Sequence, residues 1–150
     1  MNRASLISVA LALTVCLSPA RALHREDIPV LVRLAHELEQ RAAQVHAAAE
    51  TQAHHFTGRE ARVLRSLHHF HAQAARFHRG IEAYFSHPAE VDAALAEIND
   101  DAGRVERFIY RSHAMSHVVS DWNRCARLLR QINGYFDGDG DGEDAHGDEL

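Results

Sequence analysis

The sequence predicts an all-α protein, an up-down-up-down antiparallel four-helix bundle carrying a disordered acidic C-terminal tail. Three observations lead there. Apolar residues recur at alternating steps of three and four in four separate stretches, which is the period of a helix with one buried face. No segment alternates with the period of two that a half-buried strand requires. The stretches are joined by short links, which favour antiparallel neighbours.

The elements follow in chain order. Arg3 precedes an apolar run from Leu6 to Leu17, followed by Ser18, Pro19 and Ala20-Arg21-Ala22. A short positive region, an apolar core of that length and an A-x-A site predict a signal peptide over residues 1–22. Leu13-Thr14-Val15-Cys16 resembles a lipoprotein box, but bulky Val15 stands where a small residue is expected, which favours cleavage after Ala22. The bundle domain is then 23–136, and the acidic Gly/Asp-rich tail 137–150. Export places the mature chain in the periplasm or outside the cell.

The first helix carries its stripe on Leu31, Leu34, Leu38, Ala42, Val45, Ala49 and Gln52. Asp27 is placed to cap it, with Pro29 tolerated in its first turn. Thr57-Gly58-Arg59-Glu60 fits a capping box and opens the second helix, whose stripe is Val63, Leu67, Phe70, Ala74, Phe77, Ile81 and Tyr84. His87-Pro88 ends that helix and starts a third, since the residue before proline avoids helical geometry. Its stripe is Val91, Leu95, Ile98, Ala102, Val105 and Ile109. A break is expected around Ser112–Ser116, with Ser116 as the cap of the fourth helix. Val118, Trp122, Cys125, Leu129, Ile132 and Phe136 form its buried face. Gly80 and Gly103 fall inside helices, where each costs about 1 kcal/mol relative to Ala.

Charge separates the body from the tail. All 16 basic residues are Arg, set against 21 carboxylates for a formal net charge of −5. Seven of the acids lie from Asp137 onward, so residues 23–136 balance at 14 Arg against 14 acids. A neutral body has no basic excess to release counterions, which excludes nucleic acid as a partner. The apolar run of the leader is too short for a permanent membrane span. Two cysteines without a CxxC or CxxCH spacing exclude a disulfide scaffold, a Cys-rich zinc module and covalent haem. Cys125 sits on an apolar stripe and reads as a small buried hydrophobe; an exposed thiol there would instead favour a disulfide-linked homodimer. No nucleophile–base–orienter set is present, so no enzyme is expected.

The 13 histidines carry the functional signal. At about 100° per residue, His36, His54, His68 and His69 point away from the buried stripes. His71 and His78 lie about 40–60° from the stripe centre and His46 about 80°, at the border of the core. In the expected topology, the first link (His54, His55) and the third (His113, His117) share one pole. His113, His117, Asp121 and Cys125 also step by four residues, so adjacent members of a continuous helix can grip one ion. His54, His55, His113, His117 and Asp121 are therefore the candidate ligands for Zn, Ni or Cu, for which imidazole is a preferred donor. Buffering or binding of such a divalent metal is the first functional expectation. The second is a metal-free protein-interaction or stress-related bundle with an unknown protein partner, in which imidazoles titrating near 6.5 give a pH response.

The tail holds two further resemblances. Asp137, Asp139, Asp141 and Asp148 with Gly142 resemble the ligand and turn positions of an EF-hand calcium loop, which implies possible calcium in the tail. Asp144 departs from the apolar residue expected at position eight, and only two residues follow Asp148. A low-complexity, solubilising segment is the competing reading. Gly147-Asp148-Glu149-Leu150 resembles an endoplasmic-reticulum retention signal with Gly in place of the basic residue, which offers that lumen as a second location.

Overall fold

The computed structural model describes residues 23–137, and residues 1–22 and 138–150 lie outside that range. It contains four long helices, α1 (Ile28–Glu50), α2 (Gly58–Ile81), α3 (Pro88–Ile109) and α4 (Val119–Asp137), and no strand among the described residues. They run up-down-up-down. Helix α1 packs between α2 and α4, and α2 between α1 and α3, while α3 and α4 meet at few points.

The apolar stripes become the core. Leu31, Leu38 and Val45 of α1 are fully buried, as are Phe70, Phe77 and Ile81 of α2, Ile98 and Ile109 of α3, and Trp122, Cys125 and Ile132 of α4. Each large side chain of this set contributes about 1.5–3 kcal/mol through the apolar surface it removes from water. The Phe70 ring meets Trp122 edge-on at 5.2 Å, tying α2 to α4 across the centre. Leu34 stays half-buried; Ala35 takes the covered place beside it, since a small residue admits the neighbouring helix.

The Thr57–Glu60 capping box is present. The Thr57 backbone N–H donates to Glu60 Oε2 at 3.2 Å, the Thr57 hydroxyl pairs with the same carboxylate, and Ser112 donates to its other oxygen at 3.0 Å. These hydrogen bonds, led by that from Thr57, hold the Glu60 carboxyl down at about 2. They also show that the first and third links share one pole. His87 and Pro88 occupy the expected boundary of α3.

Three boundaries differ from expectation. Helix α2 stops at Ile81, and residues 82–86 form turns before His87. The Asp27 carboxylate accepts from the His24 N–H at 2.9 Å, closing a single 3-10 turn over Arg25–Asp27 instead of capping α1. Ser116 is not a cap. It lies within a 3-10 segment, His113–Val118, and α4 begins only at Val119. Burial explains the longer detour: Met115 and Val118 are drawn into the core from this segment.

Candidate functional site

The expected ligand set at the link pole is not assembled. A 3-10 segment turns about 120° per residue, so His113 and His117 point in directions about 120° apart rather than stacking as on an α-helix. His117 Nε2–H instead donates to the Ala48 carbonyl at 3.0 Å, satisfying the free end of α1. His54 and His55 face each other in a separate 3-10 turn, with ring centroids 3.9 Å apart. Asp121 pairs with Arg124 at 3.6 Å. Cys125 is fully buried, and burial, assisted by the nearby Asp121 carboxylate, pushes its thiol up to about 12. That thiol is a core group, neither ligand nor disulfide partner. Asp137 ends α4, and Asp139, Asp141 and Asp148 lie outside the described residues.

The histidines meet elsewhere, along the seam between α1 and α2. Because the two helices are antiparallel, His36 comes opposite His78, and His46 opposite His68 and His71. The ring centroids of His36 and His78 are 5.0 Å apart, those of His46 and His68 also 5.0 Å, and those of His46 and His71 6.3 Å.

The end of the seam at His36 is the compact one. One possible ligand atom from each of His36, Glu39 and His78 lies within 4.8 Å of the other two; among the described residues no other trio of such groups is as close. Glu39 stands one turn from His36 on α1. It accepts from His78 Nδ1 at 2.6 Å; an ion held by all three residues would take the place of that proton between the imidazole and the carboxylate. His36 Nε2 accepts from the Gln40 amide at 2.8 Å, so an ion taking that nitrogen would displace Gln40. A tetrahedral ion with bonds of about 2.0–2.2 Å needs ligand atoms about 3.4 Å apart. His36 is exposed and its partners are half-buried, so rotation of surface side chains closes the difference and leaves a fourth position to solvent.

The middle of the seam is different in kind. His46 is half-buried and its imidazole is pushed below its ordinary value, chiefly by burial and further by His68 and His71, against the raising effect of Glu50 at 3.6 Å.

A third histidine group lies on the opposite flank of α2. His69 Nδ1 donates to Asp101, a carboxylate only 2% exposed, which also faces Arg104 Nε at 3.6 Å. Ser66 lines the same groove of about 440 Å³ between α2 and α3. The outer nitrogen of His69 is held by Gln73 at 3.2 Å.

Comparison with known proteins adds no relative: no protein-family model matches the chain, and no curated protein or solved structure matches it.

Proposed function

We propose that this is an exported, non-enzymatic helical-bundle protein that binds a divalent transition metal, Zn, Ni or Cu, through His36, Glu39 and His78. The observation that carries the reading is the convergence of two imidazoles and a carboxylate across the α1–α2 seam. Two nitrogen donors and one oxygen donor match the preferences of these metals, whereas calcium and magnesium prefer oxygen alone. The open fourth position suits a site that exchanges its ion. The His69–Asp101 pair forms no nucleophile–base couple: the outer nitrogen of His69 is engaged by Gln73, and Ser66 makes no hydrogen bond to it. Calorimetric titration of chelator-treated protein with Zn, Cu and Ni tests the proposal. One site with Kd below about 10 μM is expected, lost in H36A/H78A and retained in H113A/H117A. Absence of binding, or binding unchanged in H36A/H78A, contradicts it.

One observation favours a second reading, a pH-responsive interaction bundle. His46 is half-buried beside His68 and His71, and burial with those two rings disfavours its protonation. A group whose folded value is depressed supports the fold above its unfolded value of about 6.5 and withdraws that support as pH falls through the folded value. Falling pH would therefore loosen the α1–α2 seam. Oligomeric state and stability unchanged between pH 7.5 and 5.5 would remove this reading.

A further inference from the structure

The seam between α2 and α3 carries guanidinium groups rather than imidazoles. Arg62, Arg65, His69, Arg76 and Arg79 fall on one face of α2, at steps that return to the same side of a helix. Arg62 and Arg65 border the groove above Asp101, and Arg76 and Arg79 border a second hollow with His87 and Glu90. All four arginines are exposed, and none lies within 4.0 Å of a carboxylate among the described residues. The body is neutral as a whole, so this row is a local excess that the fold leaves unmatched. Asp101 is already engaged by His69 and Arg104. Glu90 borders the hollow near Arg79, and Glu97 stands between it and Asp101 on the same side of α3.

The chain holds a complementary segment outside the described residues. Residues 138–150 contain Asp139, Asp141, Glu143, Asp144, Asp148 and Glu149 and no Arg. They begin where they can reach the row: Asp137 and Tyr84 line one hollow, and the Phe136 ring is 5.7 Å from that of Tyr84. Tyr84 follows Arg79 by five residues, about 8 Å along a helix, and Arg79 to Arg62 spans about 26 Å. Thirteen extended residues reach about 45 Å.

We propose that the acidic segment 139–149 lies along the Arg62–Arg79 row of its own chain, paired through carboxylate–guanidinium contacts. The contact is tested by NMR on the full chain, following α2 backbone amides and arginine Nε–H signals. The comparison variant is D139N/D141N/E143Q/D144N/D148N/E149Q. Shift differences confined to the Arg62–Arg79 face are expected. They should vanish in about 1 M NaCl, where the Debye length is about 3 Å, and survive tenfold dilution. R62Q/R65Q/R76Q/R79Q should move the tail amides to their positions in the neutralised variant. Differences that are absent, or that spread over α1 and α4, overturn the proposal. So do differences that fade on dilution, which would place the segment on a second copy.

Discussion

Helix α2 presents two long seams of opposite chemistry. Toward α1 it offers His68, His71 and His78, each within reach of an imidazole on the facing helix. Toward α3 it offers Arg62, Arg65, Arg76 and Arg79, with His69 tied to buried Asp101 between them. The first seam is made of imidazoles, whose ring nitrogens can take a metal or a proton. The second is permanently charged, because guanidinium does not lose its proton in this range. One helix thus separates a coordinating or titratable surface from an electrostatic one, with the apolar stripe of Leu67, Phe70 and Phe77 between them.

Substitutions can break this comparison one seam at a time. The largest effect is expected at the imidazole seam, where His78→Ala should weaken Zn or Cu binding at least about 100-fold in calorimetry. Glu39→Gln, which removes the carboxylate ligand, should weaken it at least about 10-fold. Arg62→Gln should leave that affinity unchanged. At the arginine seam, Asp101→Ala should lower unfolding stability by about 1–3 kcal/mol in urea titration, since it removes the hydrogen bond of a buried carboxylate to His69 and its ion pair with Arg104. A smaller effect separates two glycines. Nothing lies within 4 Å of a Cβ at Gly103, so Gly103→Ala should add about 1 kcal/mol. A Cβ at Gly80 would meet Val91 Cγ2 at 3.2 Å, so Gly80→Ala should show no such gain.

The smallest expected effects concern pH. His46→Gln should flatten the fall in stability below pH 6.5, measured by thermal melts at a series of pH values. Glu60, with its carboxyl held at about 2 by Thr57 and Ser112, supports the fold above its ordinary value of 4.5 and loses that support as pH falls toward 2. Glu60→Gln should remove this acid-side slope without touching the slope near 6.

The fold was legible because its signals are local. Alternating steps of three and four mark the stripes, and Thr57–Glu60 and His87–Pro88 mark boundaries within a few residues. The site was not local in that sense. His36 was expected on a solvated face, and it is exposed, but its neighbour His78 stands 42 positions away and becomes visible only with the register of the α1–α2 pair. The one near signal was His36-x2-Glu39, a pair one turn apart. At the pole, the four-residue step from His113 to His117 assumed a continuous α-helix. Burial of Met115 and Val118 selected a 3-10 path that turns those imidazoles apart.

Site-resolved imidazole NMR during a substoichiometric Zn titration tests the metal site most directly. The ring signals of His36 and His78 should shift first and together, with those of His54, His55, His113 and His117 unmoved. Movement of the pole histidines first, or of no imidazole at all, would contradict a metal site on the α1–α2 seam.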